Sequence, residues 1–125
     1  MSTTRSTLSH VLSKRAAMQN KVQALEPEKC KTMAEVRHGV DITDVALIEL
    51  LARRFGYMDA AARIKADRDT VRDEARKAQV ITNVEAAASE AQIPVQPIKE
   101  IWDRLVEASI EYELAAWDRL NTNPT

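Results

Sequence analysis

Three cationic residues on one predicted helix have a spacing that constrains how they can share a ligand: Arg37, Arg54 and Lys65. Arg54 and Lys65 lie 11 residues apart, which at about 100° per residue places them within about 20° of each other on one face. Arg37 lies 17 residues before Arg54, about 26 Å away along the helix axis. A small molecule held by Arg54 therefore cannot reach Arg37 of the same straight helix. If these cations share a ligand, a second chain must supply one of them.

The position of Arg54 within the helix also needs an explanation. It falls on an apolar stripe between Leu51 and Met58, and Lys65 lies close to the same face. A charge on a buried stripe destabilises a protein unless the charge is paired or bound to a ligand. A structural ion pair is the ordinary explanation for one such residue, so Arg54 alone does not establish a site.

Further polar residues lie on the two helices predicted to follow. Arg76 offers another cation, whereas Ser109 and Glu113 are four residues apart and share one helix face. Taken singly, each of these residues has an ordinary structural explanation as well.

Other kinds of chemistry find little support. His10 and His38 are far apart, and neither has a spacing to Asp, Glu or Cys that resembles a metal site. We expect His38 to be a surface residue and Cys30 to be an inert thiol, because no histidine pairs with it. The sequence contains no glycine-rich phosphate loop. Trp102 and Trp117 are interpreted as core or interface anchors, because no basic groove accompanies them.

The cations lie on a predicted first helix that runs from Thr32 to Lys65. Thr32 and Glu35 have the spacing of a capping box. About 33 residues make a helix near 50 Å long, and a helix of this length usually needs a partner, so we expect self-association. Its apolar positions step by three or four residues: Met33, Val36, Val40, Leu47, Leu50, Leu51, Met58 and Ala61.

Two shorter helices are predicted after it. The second begins at Thr70, with Asp73 as the third residue after it in another candidate capping box, and stops before Pro94. Pro97 suits the first turn of the third helix, which ends near Leu120. The sequence thus predicts an all-α, three-helix protomer. Three helices of such unequal length cannot bury the stripe of the first one alone, so we expect a dimer.

The domain organisation is simple. We assign residues 32–120 to one helical domain and residues 121–125 to a disordered tail. Residues 1–31 differ in composition, being rich in Ser, Thr and Lys, and form either a short helix from about Thr7 to Leu25 or a disordered extension.

Composition excludes several kinds of partner. The net charge is −1 and the isoelectric point is near 6.1, which argues against binding to nucleic acid or to anionic membranes. Cys30 is the only cysteine, so no intrachain disulfide can form, which fits a reducing compartment. We find neither a signal peptide nor an apolar span, and expect a cytoplasmic protein.

The chain contains, in this order, the segments MAEVRHGVD, LLARRFGYMDAAARIK, VRDEARKAQV and LVEASIEYE. Together they resemble the all-helical class of chorismate mutase, over roughly residues 33–120 and with family-like spacing. The resemblance implies an intertwined homodimer of three-helix protomers in which the first helix of each chain spans both halves. Each site would then take one arginine from the other protomer.

The resemblance also implies roles for individual residues. Arg37 matches the arginine donated from the partner chain, Arg54 matches the arginine of the chain's own site, and Lys65 matches the lysine that contacts substrate. The pocket would be lined further by residues of the second and third helices: Asp73, Arg76, Ser109 and Glu113.

The implied reaction is the pericyclic rearrangement of chorismate to prephenate, which needs no nucleophile, metal or cofactor. The site would hold a flexible dicarboxylate in its reactive conformer. Arg37 of one chain and Arg54 of the other would each bind a carboxylate, and Lys65 would stabilise the ether oxygen as its bond breaks. Arg76 and Ser109 would support binding of the carboxylates and the ring.

Two positions depart from the family pattern. Glu113 stands where several relatives carry a glutamine that donates to the ether oxygen. A carboxylate only accepts hydrogen bonds, so Glu113 must carry a proton to help, and burial would favour the protonated form. Lys77 stands where some relatives place a glutamate that recognises the substrate hydroxyl, which leaves the bound ring isomer open.

Two alternatives therefore remain beside the mutase. Isochorismate–pyruvate lyases share this fold and these cations, and they catalyse another pericyclic step. The other alternative is a catalytically silent helical dimer used for regulation or docking, fused or bound to partners through residues 1–31.

Overall fold

The structure, a computed structural model, describes residues 24–122. Within them the chain forms three α-helices and two short 3-10 turns: the turn Pro27–Lys29, α1 (Met33–Ile64), the turn Arg68–Thr70, α2 (Glu74–Glu90) and α3 (Val95–Asn121). The prediction of an all-α, three-helix protomer is confirmed. The structure contains one chain, so the homodimer stays a prediction.

The start of α1 follows from its capping residues. The hydroxyl of Thr32 accepts from the N–H of Glu35 at 3.2 Å, and the Glu35 carboxylate accepts from the N–H of Thr32 at 3.0 Å. This reciprocal pair satisfies two backbone donors that the first helical turn leaves without partners, as the sequence predicted. The Glu35 carboxylate also accepts from the N–H of Lys31 at 3.0 Å, and this bond, together with those from Thr32, lowers the pKa of Glu35.

The predicted start of α2 at Thr70 is wrong. Thr70 belongs to the second 3-10 turn, where its hydroxyl donates to the carbonyl of Asp67 at 2.7 Å, and the helix begins only at Glu74. Asp73 is the N-cap instead, and its carboxylate accepts from the N–H of Arg76 at 3.0 Å. Asp67 sets the preceding turn by accepting from the N–H of Asp69.

The connection between α2 and α3 lies where the sequence predicted it, with α2 ending before Pro94 and Pro97 in the first turn of α3. Gln92 has φ 61°, a left-handed conformation that ends α2, and the N–H of Ile93 donates back to the carbonyl of Ala88 at 3.1 Å. Pro94 is the N-cap of α3, and Pro97 lies in its first turn, where a missing N–H has no cost. The helix ends at Asn121, one residue beyond the predicted end.

The chain divides into two compact units, one ending at Leu50 and one beginning at Leu51. In the first unit, the apolar stripe of α1 is largely exposed, at 39 % to 59 % for Met33, Val36, Val40, Leu47 and Leu50. Exposed apolar surface of this extent is typical of a helix that packs against a partner.

The second unit contains a small core. Val71, Val106 and Ile110 are buried against one another, and Val80, Leu114 and Trp117 pack around them. This cluster joins the segment that follows α1 to the middle of α3.

Two further predictions fall wholly or partly on residues that the structure does not describe. The helix predicted from Thr7 to Leu25 lies outside them except for Ala24 and Leu25, which are not helical, and the role of residues 1–31 stays a prediction. Of the predicted tail, Asn121 belongs to α3 and residues 123–125 lie outside the description. Among the described residues, no helix is both long and apolar enough to cross a membrane.

Candidate active site

One face of α3 carries three residues at four-residue steps: Ser109, Glu113 and Trp117. Residues four apart on a helix lie one above the other, so these side chains form a row along the axis. Ser109 and Glu113 are 3 % and 4 % exposed, although both are polar. Each of the three contacts a different group of the C-terminal part of α1 or of the residue that follows it.

Ser109 contacts Arg54. The guanidinium Nη1 of Arg54 donates to the Ser109 hydroxyl oxygen at 2.6 Å, and this hydroxyl donates in turn to the carbonyl of Leu105 at 2.7 Å. A hydroxyl has only one proton. Because that proton is used on Leu105, Ser109 presents its oxygen to Arg54 and fixes the orientation of the guanidinium.

The electrostatics around Arg54 favour an anion. Burial, together with the nearby positive charge of Arg76, lowers the pKa of the Arg54 guanidinium, which still stays charged because arginine titrates far above neutral pH. Within residues 24–122, no carboxylate pairs with Arg54. A half-buried cation with a second cation beside it is stabilised by a bound anion such as a carboxylate.

Glu113 contacts Lys65. The ammonium Nζ of Lys65 lies 2.8 Å from Oε2 of Glu113, whose side chain is only 6 % exposed, whereas that of Lys65 is 30 % exposed. The distance is that of an ion pair, but the contact lacks hydrogen-bond alignment, so Oε2 has no hydrogen-bond partner among the described residues. A buried carboxyl oxygen in this state retains an unused capacity for a hydrogen bond.

Trp117 contacts the main chain at Lys65. Its indole Nε1–H donates to the carbonyl oxygen of Lys65 at 3.1 Å. Lys65 follows directly after the last residue of α1, where backbone carbonyls have no partner within the helix. The packing of Trp117 against the core confirms the predicted anchor, but the sequence reasoning missed this hydrogen bond. The four-residue spacing from Glu113 indicates that Trp117 lies on the same helix face, but it does not indicate where the indole N–H points.

The remaining predicted site residues, Asp73, Arg76 and Arg37, make no hydrogen bond to Ser109, Glu113 or Trp117 among the described residues. The carboxylate of Asp73 is engaged as the N-cap of α2, and Arg76 donates to the Oε1 atom of Gln79 at 2.6 Å. Both residues are exposed, although Arg76 lies near enough to Arg54 to lower its pKa. Arg37 is exposed in the first unit, and its donation to a partner's site stays a prediction.

The arrangement agrees with a comparison of the chain with protein families. The family model described as chorismate mutase type II matches residues 36–114, which is more than half of the chain. The chain belongs to the chorismate mutase type II family. The resemblance in the sequence motifs is therefore confirmed. The matched residues include Arg54, Lys65, Ser109 and Glu113, whereas Trp117 lies just beyond them.

A curated relative is the isochorismate pyruvate lyase of Pseudomonas aeruginosa. It is 24 % identical to this chain over 91 residues, which cover 73 % of the chain and 90 % of the relative. The two proteins thus align over most of the length of each.

Lys77, the position that departs from the family pattern, belongs to a separate cluster of charges. Its ammonium lies 2.9 Å from Glu107 and 3.0 Å from Asp103. Arg72 also contacts Glu107, at 2.7 Å, and Glu74, at 2.8 Å. The hydrogen bonds from Arg72 and Lys77 hold the pKa of Glu107 at about 2. The bonds of Lys77 to Glu107 and Asp103 raise the pKa of Lys77.

Among the described residues, no group of three or more His, Cys, Asp or Glu side chains is arranged to hold a metal ion. The site is built from cations, a hydroxyl and one buried carboxyl group. This set of side chains can bind and orient an anionic ligand and can stabilise negative charge that develops on it.

Proposed function

We propose that this member of the chorismate mutase type II family is a chorismate mutase, an isomerase that rearranges chorismate to prephenate. The observation that carries the proposal is the half-buried guanidinium of Arg54. Ser109 orients it, the charge of Arg76 lies nearby, and no carboxylate of the described residues neutralises it. Chorismate is a dicarboxylate and would supply the missing negative charge.

The proposed site binds the substrate through its two carboxylates. Arg54 binds one of them and Arg37 of the partner subunit binds the other, each through the paired N–H groups of a planar guanidinium. Holding both ends selects the compact conformer in which the reacting carbons meet, so conformational entropy is lost on binding rather than in the chemical step. Arg76 adds positive charge at the side of Arg54.

Lys65 and Glu113 act on the ether oxygen in this proposal. The C–O bond breaks in the rearrangement, and negative charge grows on the oxygen in the transition state. The ammonium of Lys65 stabilises that charge directly. Glu113 contributes a hydrogen bond only when it is protonated. The 2.8 Å contact between the two groups supports the proposal that both act on the same atom. The mechanism uses no nucleophile, metal or cofactor.

A product assay tests the proposed substrate. The protein is incubated separately with chorismate and with isochorismate, and the products are identified by chromatography and mass spectrometry. We expect prephenate from chorismate. If the protein forms salicylate and pyruvate from isochorismate and no prephenate from chorismate, it is a lyase and the proposed mutase activity is wrong.

The lyase is the second candidate, because one relative is named as an isochorismate pyruvate lyase. The contacts of Lys77 also leave the ring isomer open. Its side chain is an ammonium, which has no acceptor for the hydroxyl of the chorismate ring, and its donors are engaged with Asp103 and Glu107 of α3. The two candidate reactions would use the same carboxylate contacts, and only the products separate them.

A homodimer follows from the proposed sharing of each site. Arg37→Ala and Arg54→Ala should each inactivate the enzyme as a homodimer. When the two variants are unfolded together and refolded as a mixture, the heterodimers regain one complete site, which restores about a quarter of the wild-type activity. Sedimentation of the wild type should show a dimer. A fully active monomer would contradict the shared site.

The catalytically silent helical dimer makes the opposite prediction. In a protein used only for regulation or docking, Arg54→Ala would leave the function intact, because the half-buried cation would have no ligand. Turnover of either substrate by the wild type, together with its loss in Arg54→Ala, rejects this alternative.

A further inference from the structure

Trp117 contributes a hydrogen bond that packing alone does not require. Its ring lies against the core cluster of Val71, Val106 and Ile110, where a phenylalanine would also bury apolar surface. The indole N–H, however, reaches out of this cluster to the carbonyl oxygen of Lys65 at 3.1 Å. Packing therefore does not explain why this position carries a donor.

The acceptor lies at a point where the backbone needs support. α1 ends at Ile64, and the N–H of Lys65 makes the last helical bond, to the carbonyl of Ala61 at 2.9 Å. Beyond this point the chain leaves the helix through an exposed segment, 66–70. Without the bond from Trp117, the main chain at Lys65 would be fixed only by the last helical bond on its N-terminal side, because the segment on its C-terminal side is exposed.

The same helix face holds the side chain of Lys65. Glu113 lies one turn before Trp117 on α3 and contacts the Lys65 ammonium at 2.8 Å. One turn of α3 thus fixes Lys65 at both ends, the main chain through Trp117 and the charged end through Glu113. Because the Glu113 contact lacks hydrogen-bond alignment, it restrains the ammonium less than an aligned bond would.

We propose that Trp117 is a positioning residue for Lys65, and that its indole N–H fixes the main chain from which the Lys65 ammonium reaches the reacting oxygen. The inference rests on the proposed function of the site and extends it to a residue that does not touch the substrate. Displacing a charged group by a fraction of an ångström weakens transition-state stabilisation more than it weakens substrate binding, because the arginines carry the binding of the carboxylates.

The direct test replaces the donor and keeps a ring. We expect Trp117→Phe to lower kcat roughly threefold to tenfold, as the loss of one hydrogen bond predicts, with KM for chorismate within about twofold of the wild type. Trp102→Phe is the matched control. Trp102 lies on the same helix, and its indole has no hydrogen-bond partner among the described residues, so kcat should be unchanged.

A second measurement follows the hydrogen bond without activity. The dipeptide Lys-Ala occurs twice in the chain, at 65–66 and 77–78. Labelling lysine carbonyls with ¹³C and alanine nitrogens with ¹⁵N therefore gives two cross-peaks in a carbonyl–nitrogen NMR correlation. Trp117→Phe should shift the signal of Lys65–Ala66 and leave that of Lys77–Ala78 in place, whereas Trp102→Phe should move neither.

A third variant removes only the N–H group. In the Trp102→Phe background, Trp117 is the one remaining tryptophan, so growth on benzothienylalanine replaces its N–H by sulfur at nearly the same shape. We expect the same loss in kcat and the same shift of the Lys65–Ala66 signal as in Trp117→Phe. This variant keeps the proposal testable if the smaller phenylalanine ring destabilises the core.

The outcomes separate this proposal from the proposed function. An unchanged kcat in the benzothienyl protein, or a KM that rises as much as kcat falls, would overturn the positioning role. An unmoved Lys65–Ala66 signal would overturn the hydrogen bond itself. If the wild type converts neither chorismate nor isochorismate, the proposed function fails and the catalytic role of Trp117 fails with it. The NMR signal would still show whether Trp117 donates a hydrogen bond to the carbonyl of Lys65.

Discussion

Two clusters of charge join α3 to the rest of the second unit, and they differ in how well their groups are satisfied. The outer cluster comprises Arg72, Lys77, Glu107 and Asp103, and Glu107 receives bonds from two cations. The inner cluster comprises Arg54, Ser109, Lys65 and Glu113. Its arginine bonds a neutral hydroxyl, and one oxygen of its buried carboxyl group accepts no hydrogen bond among the described residues.

The difference suggests what each cluster does. Charges in the outer cluster neutralise one another at the surface, so the cluster is complete without a ligand. Charges in the inner cluster are more buried and less well paired, which is costly for stability alone. A protein retains such groups where their charge is used, and a charge perturbed by burial and by a like-charged neighbour, as at Arg54, is typical of functional sites. The comparison predicts that the inner cluster controls activity and the outer cluster affects only stability.

The largest expected effect comes from Arg54. Arg54→Ala should lower kcat/KM for chorismate by roughly a hundredfold to a thousandfold, on the order of the 3 kcal/mol that one preorganised donor contributes. Arg54→Lys should recover little of this, because an ammonium keeps the charge but cannot bind a carboxylate through two parallel bonds. Steady-state kinetics measure both variants.

Arg72→Ala is the control from the outer cluster. It removes a guanidinium that also bonds to α3, at Glu107, but it lies outside the inner cluster. Its kcat/KM should stay close to that of the wild type. A loss as large as that of Arg54→Ala would show that the distinction between the clusters is wrong.

The next effect concerns the hydrogen bond that residue 113 gives to the ether oxygen in the proposed mechanism. Glu113→Gln keeps the shape and supplies a permanent donor, so its kcat should equal or exceed that of the wild type. Glu113→Ala removes the side chain that can donate, so it should lower kcat. Steady-state kinetics measure both variants. A loss in Glu113→Gln as large as that in Glu113→Ala would refute the role of residue 113 as a donor.

The sequence predicted most of the fold because its signals were local. The capping box at Thr32 and Glu35 and the prolines before α3 act within a few residues, so their effects can be read from the chain. The start of α2 could not be read in this way. Thr70 and Asp73 both had the composition of a cap, and only the turn set by Asp67 decides which of them is used.

The site was predicted less completely. Periodicity placed Arg54 on the apolar stripe and Ser109 and Glu113 on one face, and the structure brings Arg54 to Ser109 and Lys65 to Glu113. The bond from Trp117 to Lys65 joins residues 52 positions apart, and a tryptophan on an apolar stripe carries no signal of where its N–H points. Such a contact depends on tertiary packing, which no local pattern encodes.

A smaller effect separates two roles of Asp73. If this residue acts only as the N-cap of α2, Asp73→Ala should destabilise the protein by about 1 kcal/mol, whereas Asp73→Asn should keep both the cap and the activity. Denaturant unfolding gives the stability, and steady-state kinetics give the activity. If Asp73→Asn is stable but markedly less active, then the carboxylate also contacts the substrate, as the family resemblance implies.

The smallest effect tests the outer cluster itself. Arg72 and Lys77 hold the pKa of Glu107 at about 2, below its ordinary value of 4.5. A carboxyl group with a lowered pKa contributes stability that is present above about pH 4.5 and is lost as the pH falls toward 2. Glu107→Gln should therefore slightly lower the melting temperature at neutral pH and flatten its decrease over this acidic range, with no change in kcat.

The matched control is Glu111→Gln, an exposed position on the same helix, which should leave the melting temperature at neutral pH and its decrease over the acidic range unchanged. If the wild type and Glu107→Gln lose stability in parallel as the pH falls, the outer cluster does not stabilise the fold, and its contrast with the inner cluster loses its physical basis.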